Sequence, residues 1–326
     1  MKRTFSLIVV ALFLFSCSAS EERLEFREQG NEVPEFRSEN TFQYIEEQLA
    51  FGPRVPGTEA HRNAVEYFRD HFQATAGSRA VYIQQFEQEI YGDTLPFYNV
   101  LASFGGANQD RIVLAAHWDS RPRADKDSQD RDQAILGADD GGSGVAVLME
   151  LANIFSEHDL PIGVDIILFD GEDYGEEGDL ANYFIGSRYW SQNPPVPGYS
   201  PRFGILLDMV GGQGARFPKE GHSISFAPNL VDEIWAIAAK KGFEDLFLDE
   251  RGGRVADDHI IVEQYTGIPM INIIHHNLNE NGVIEFPPYW HTHRDNIDII
   301  DRDVLQAVGE VMLELIYNRI PKEESN

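Results

Sequence analysis

Four apolar runs recur along the chain at Ile112–Ala116, Val164–Phe169, Phe203–Leu207 and Pro269–Ile274. Each is short and has no polar alternation, the pattern of a strand buried on both faces. Helical spacing appears between or after them. Gly144–Phe155 places Leu148, Leu151, Ala152 and Phe155 on one side, and Leu230–Lys241 and Val304–Tyr317 repeat the theme, the latter with Leu305, Val308, Met312 and Leu315. Upstream, Glu59–Gln73 sets Ala60, Ala64, Val65, Phe68 and Phe72 at amphipathic spacing behind a Gly-Pro loop that ends in Thr58, a candidate N-cap. Ala80–Glu89 and Tyr98–Phe104 are β-rich and predict edge strands. Strands alternating with helices predict an α/β fold, a single globular domain over residues 41–320 with a mostly parallel mixed central sheet flanked by helices on both faces.

The ends of the chain have a different character. Lys2 and Arg3 precede an apolar run from Phe5 to Phe15, too short to span a bilayer, and Ser16-Cys17 follows. Leu14-Phe15-Ser16-Cys17 resembles a bacterial lipobox, which implies a signal peptide over residues 1–16 and lipidation of Cys17. An ordinary secretory signal is the alternative. The polar residues 17–40 then predict a tether, and residues 321–326 a C-terminal tail. The acidic start Ser18-Ala19-Ser20-Glu21-Glu22 suggests outer-membrane sorting, on the periplasmic or surface face. Cys17 is the only cysteine, so no internal disulfide can form and the core must carry stability. With 54 acidic against 26 basic residues, a formal charge of −28, the surface disfavours nucleic acid, whose phosphates it would repel. The oligomeric state is not legible.

Chemistry collects where the apolar runs stop. His117-Trp118-Asp119 follows the first, Asp170-Gly171-Glu172-Asp173 the second, Asp208 the third and His275-His276 the fourth. In open α/β sheets ligands bind beyond the carboxyl ends of the strands, so these groups can converge on one crevice with loop residues Asp139, Asp140, Asp257, Asp258 and His291. Several carboxylates with one or two imidazoles are too costly to bury together without a divalent cation. Mixed oxygen and imidazole donors suit zinc.

Five ordered segments carry a resemblance: Ala116-His117-Trp118-Asp119-Ser120, Gly137-Ala138-Asp139-Asp140-Gly141-Gly142-Ser143-Gly144, Phe169-Asp170-Gly171-Glu172-Asp173, Leu206-Leu207-Asp208 and Trp290-His291-Thr292. They resemble the motifs of the M28 metallopeptidase family, zinc-exopeptidase-like proteins that include di-zinc aminopeptidases and single-zinc glutaminyl cyclases. The resemblance implies Asp140, Asp173 and His291 as zinc ligands and Glu172 as general acid/base. It implies His117 and Asp208, with Asp140 bridging, at the position of a second metal, and Asp119 as the residue that orients His117. The chain departs from the family's common Glu-Glu at Glu172-Asp173, where the shorter Asp173 must reach the metal.

Two features resemble the cyclase branch. Val255-Ala256-Asp257-Asp258-His259 supplies a carboxylate, Asp257, that could hold a substrate carboxamide, and Trp290 before His291 offers an aromatic wall for a flat glutamine amide. The expected function is zinc-dependent glutaminyl-peptide cyclotransfer at peptide or protein N-termini, with Glu172, Asp208 and Asp257 catalytic and Asp208 hydrogen-bonded to Glu172. One Zn2+ is expected. A di-zinc aminopeptidase is the alternative, and a non-catalytic peptide-binding lipoprotein on the same scaffold a weaker one. Plainer roles fit other residues: Asp139 and Asp258 as carboxylates satisfying loop backbone donors, His259, His275 and His276 as packed histidines, His293 and Asp295 as supports of the His291 loop, and Trp118, Trp190 and Trp235 as core or rim aromatics.

Overall fold

A computed structural model describes residues 24–106 and 108–320, so the expected signal peptide, Cys17 and the C-terminal tail lie outside the described residues. In chain order the main elements are α1 (Ser38–Ala50), α2 (Glu59–Ala76), β1 (Val81–Ile90), β2 (Asp93–Phe104), β3 (Arg111–His117), α3 (Gly142–Glu157), β4 (Gly163–Phe169) and α4 (Ile185–Gln192). There follow β5 (Gly204–Asp208), β6 (Phe217–Lys219), α5 (Ser223–Phe226), α6 (Pro228–Lys241), β7 (Phe247–Arg251), α7 (Asp258–Thr266), β8 (Met270–Ile274) and α8 (Arg302–Glu314).

Six strands form the central sheet in the order β1-β2-β4-β3-β5-β8. β4, β3, β5 and β8 run parallel, while β2 is antiparallel to both β1 and β4. The four apolar runs are these parallel strands. Their alternate residues divide between two cores: Ile112, Leu114, Ala116, Val164, Ile166, Leu168, Ile205 and Leu207 on one face, Val113, Ala115, Ile167, Phe169 and Leu206 on the other. α1, α2, α3, α6 and α8 cover the first face, and α4 and α7 the second. Burial on both faces explains why the strands carry no polar alternation.

α3 is apolar almost all round because it is wedged between the sheet and the outer helices α1, α2 and α8. Gly144 sets its distance from the sheet. A Cβ there would lie 2.2 Å from the Leu207 carbonyl oxygen. Thr58 caps α2, its hydroxyl accepting from the His61 amide at 3.2 Å.

Three local expectations change. β2 begins at Asp93 and lies inside the sheet, leaving β1 as the edge. The cause is the two-residue turn Tyr91-Gly92, both at positive φ, which pairs the hairpin over its full length. The last helix, expected to run to Tyr317, stops at Glu314 and continues as a wider π turn over Leu315–Arg319. The expected boundary between residues 40 and 41 falls inside α1. Before α1 the chain is irregular but fastened: Phe26 packs edge-on against Phe203, Phe36 is buried against Gly309, and the Gly30 amide donates to Asn318 Oδ1 at 2.7 Å. The few large apolar residues of this polar stretch find seats on the domain. Among the described residues no helix is long and apolar enough to cross a membrane.

Candidate active site

Parallel strands end on the same edge of the sheet. His117 therefore closes β3 beside Phe169 of β4, and Asp208 closes β5 beside Ile274 of β8. The β4–α4 loop brings Glu172 and Asp173, the loop before α3 brings Asp140, Asp257 stands at the N-terminus of α7, and a late loop supplies His291 with a left-handed backbone, φ 54°. Such a backbone in a histidine is held only where surrounding contacts impose it, and here the ring is pinned between Trp290 and two carboxylates.

Two donor trios share Asp140. In the first, His291 Nε2 lies 3.3 Å from Asp173 Oδ1 and 3.6 Å from Asp140 Oδ2. In the second, His117 Nε2 lies 3.1 Å from Asp140 Oδ1 and 3.3 Å from Asp208 Oδ1. Asp140 Oδ2, Asp173 Oδ2 and Asp208 Oδ1 are buried without a hydrogen-bond partner. Orphaned carboxylate oxygens facing imidazoles are the donor set a divalent cation would satisfy, so the residues fit a metal. Asp173 reaches the first trio despite its short arm.

The supporting groups give the site its rigidity. Asp119 accepts the Glu172 amide on Oδ1 at 3.0 Å and the Asp173 amide on Oδ2 at 3.2 Å, with His117 Nδ1 3.4 Å away. One carboxylate thus fixes a histidine and the loop carrying two functional acids. Gly141 permits the close approach: a Cβ there would meet the Asp119 carbonyl oxygen at 2.7 Å and the His117 ring at 2.9 Å, at φ 89°. Asp295 differs from its expected role. It accepts the Asp139 and Asp140 amides at 2.8 and 3.1 Å and so supports the Asp140 loop, while Asp125 is the carboxylate 3.4 Å from His291 Nδ1. His293 pairs with Asp127 at 3.1 Å.

Asp125 and Arg121 were not legible in the sequence as site residues. Arg121, fully buried, donates to both oxygens of Asp125 at 2.9 and 2.6 Å and to Asp173 at 2.8 Å. Four residues apart, they signal only a local ion pair. Arg54 of the Gly-Pro loop is likewise buried and donates to the Trp118, Leu136 and Gly137 carbonyls, tying the β3 end to the Asp140 loop.

Crowded acids shift their protonation. Burial, with repulsion from Asp173, Asp257 and Asp258, raises Glu172 well above the usual carboxylate range against the pull of His117. Burial and then Asp208 push Asp257 up to about 7, and burial pushes Asp208 to about 6. Burial opposes charge on His117, yet Asp119, Asp140 and Asp208 hold it well above its usual value. Asp208 shares no hydrogen bond with Glu172 among the described residues; it pairs instead with His117, because it ends the strand beside β3. Asp139 accepts from the Gly211 amide and Tyr289 hydroxyl, Asp258 from the Ser187 hydroxyl and not from a loop amide. His259 packs on Glu220, His275 faces the Tyr289 hydroxyl, and His276 bonds the Ile274 carbonyl and Gly253 amide. Trp118, Trp190 and Trp235 are core side chains.

Above the first trio a cavity of about 120 Å³ is lined by Glu172, Asp257, Tyr183, Phe286 and Trp290. Trp290 packs against Phe286, ring centroids 4.4 Å apart, and stacks on His291 at 3.6 Å. The pocket suits one short polar side chain with a flat terminus.

Comparison with known proteins bears on this arrangement. Residues 99–316 match peptidase family M28. The chain is 42% identical to a glutaminyl cyclase of Porphyromonas gingivalis of known structure, with TM-score 0.81 over 86% of this chain and 97% of that one. It is 40% identical to a leucine aminopeptidase precursor of Bacteroides thetaiotaomicron, with TM-score 0.82 over 90% and 100%. Bovine glutaminyl-peptide cyclotransferase is 24% identical over 79% of this chain and 76% of its own length.

Proposed function

The chain belongs to peptidase family M28, and from that premise we propose that it converts N-terminal glutamine of peptides and proteins to pyroglutamate, releasing ammonia. One observation carries the choice within the family: Glu172, Asp257 and Trp290 line the same small cavity directly above the Asp140–Asp173–His291 trio. Cyclisation needs room for one side chain curled onto its own amine, and the pocket is of that size.

Asp140, Asp173 and His291 would hold zinc, whose contribution is Lewis-acid polarisation of the glutamine carboxamide. The remaining work falls to side chains. Trp290 packs on the flat amide, and Asp257 accepts a hydrogen bond from its nitrogen. Glu172 takes a proton from the α-ammonium, and the freed amine attacks the carboxamide carbon within the same molecule, where proximity replaces a bimolecular encounter. As the bond from that carbon to the amide nitrogen breaks, Glu172 returns the proton to the departing nitrogen, which leaves as ammonia, and the ring nitrogen releases its second proton to solvent to give the neutral lactam. Burial and the neighbouring carboxylates raise the pKa of Glu172, the direction that makes the carboxylate a stronger proton acceptor. Asp119 keeps Glu172 in place through its amide.

The expected single zinc would lie at the first trio, and Asp140 offers one oxygen to each trio. Oδ1 sits 3.1 Å from His117 Nε2, a hydrogen-bond distance, while Oδ2 is unpartnered on the side of Asp173 and His291. The second trio supports the other reading, a di-zinc aminopeptidase. Zinc content together with product identity tests the proposal: one zinc per chain and ammonia from a Gln-initiated peptide are expected. Two zincs with release of a free N-terminal residue would overturn it.

We further propose that Cys17 carries lipid and anchors the enzyme to the bacterial membrane, with the outer membrane as destination; the support is the motif Leu14-Phe15-Ser16-Cys17. A Cys17→Ala chain recovered in the soluble periplasmic fraction is the expected result, and one that stays with the membranes would refute it.

A further inference from the structure

Glu220 lies outside the pocket and beyond every motif in the sequence, yet its buried carboxylate has five hydrogen-bond partners. It follows β6, is fully buried, and accepts on Oε1 from the His222 amide at 2.8 Å and the Val255 amide at 3.0 Å. Oε2 accepts from the Ser223 amide at 2.6 Å and hydroxyl at 2.7 Å, with His259 Nε2 at 3.2 Å. Val255 and His259 stand two residues before and two after Asp257. Glu220 therefore grips the segment on both sides of that acid.

A second path reaches the Asp257 carboxylate itself. Ser223 Oγ, while donating to Glu220, accepts the Asn272 amide at 2.9 Å, and the Asn272 side chain donates to Asp257 Oδ2 at 2.6 Å. Asp257 Oδ1 accepts the Asp258 amide at 2.6 Å, the cap of α7. Both oxygens are thus oriented from behind, leaving their remaining lone pairs for the pocket that Asp257 lines. An ordinary structural clasp would hold the backbone alone. This one converges on a side chain that lines the pocket, and it runs from the residue after β6 through α5, β8 and α7.

We propose that Glu220, acting with Ser223 and Asn272, is a positioning residue that sets the Asp257 carboxylate toward the substrate. This rests on the reading of Asp257 as a substrate-binding group. Buried polar networks of this kind hold their members as a unit, so the effect of breaking one link should vanish once the terminal member is gone.

The test is a double-mutant cycle on the full-length, zinc-loaded enzyme, assayed with a Gln-initiated peptide. Glu220→Gln and Asn272→Ala should each lower kcat by about tenfold to a hundredfold, the range for losing a supporting hydrogen-bond partner. Zinc content should remain that of the wild type. In an Asp257→Ala background the same changes should cost less than about threefold more, because the group they position is absent. Should Glu220→Gln fail to fold, Asn272→Ala decides, since it leaves the Glu220 clasp intact and removes only the donor to Asp257. Full additivity with Asp257→Ala, or wild-type kcat in Asn272→Ala, would overturn the proposal. Wild-type product identity is read first: a free amino acid in place of ammonia would refute cyclisation, and the cycle run on that product would still report whether Glu220 acts through Asp257.

Discussion

Removing the Asp119 carboxylate is the sharpest probe of how the site is held. Asp119→Ala deletes the acceptor of two successive amides, that of Glu172, part-buried, at 3.0 Å and that of Asp173, buried, at 3.2 Å, and leaves His117 Nδ1 without its neighbour at 3.4 Å. A buried donor left unsatisfied costs about 1–3 kcal/mol, so a loop that stayed in place would lose about 2–6 kcal/mol. That is a large share of the roughly 5–15 kcal/mol that stabilises a typical domain, so the loop should shift to recover its hydrogen bonds. A displacement of about 1 Å at a catalytic group costs on the order of a hundredfold in rate. We therefore expect kcat for ammonia release to fall about a hundredfold, with zinc affinity weakened about ten- to a hundredfold because the same loop carries Asp173. Asp119→Asn keeps one acceptor oxygen and should fall between wild type and alanine. Steady-state kinetics, zinc titration and thermal melting measure the three quantities. If Asp119→Ala retains kcat within about threefold, less than about 1 kcal/mol of barrier, the carboxylate does not position Glu172 and the reasoning fails.

Glu172→Gln should keep its zinc and its melting temperature and lose at least about a hundredfold in kcat, because it can neither accept nor return a proton; full activity would remove Glu172 from its role. Glu220 predicts an acid-labile component of stability. Burial alone would raise its pKa, but His259 and the donors at His222 and Ser223 bring it down from 4.5 to about 2. A depressed carboxylate stabilises fully above its unfolded pKa, so this contribution, about 3 kcal/mol, is present above pH 4.5 and is lost as pH falls from there toward 2. Denaturant titrations of Glu220→Gln should lack that part of the acid slope, and an unchanged slope would contradict the assignment. Gly144→Ala should destabilise the fold by at least about 1–3 kcal/mol, since the new methyl would sit 2.2 Å from the Leu207 carbonyl in backbone that cannot yield without moving α3 off the sheet. A neutral result in chemical denaturation would refute that packing account.

Periodicity fixes what depends on local burial. The short apolar runs at 112–116 and 164–169, the second broken only by Asp165, read as strands covered on both faces, and their shared direction follows from the helix between them. Because parallel strands end together, the residues after each run, His117, Glu172, Asp173 and Asp208, could be placed on one edge from residue order alone. Tertiary structure alone decided which carboxylate serves which neighbour. Asp295 follows the His291 loop in sequence but caps the Asp139 and Asp140 amides, and Asp125 takes the His291 side instead. Asp208 faces His117 because β5 lies beside β3, a matter of strand order that no local pattern encodes. Arg121 and Glu220 left no trace in the motifs, since their partners lie up to 52 and 39 residues away. Residue type and spacing report burial and local backbone, which act over a few residues. Hydrogen-bond partnership across the sheet edge is a property of the packed chain, and it is there that the site acquires its geometry.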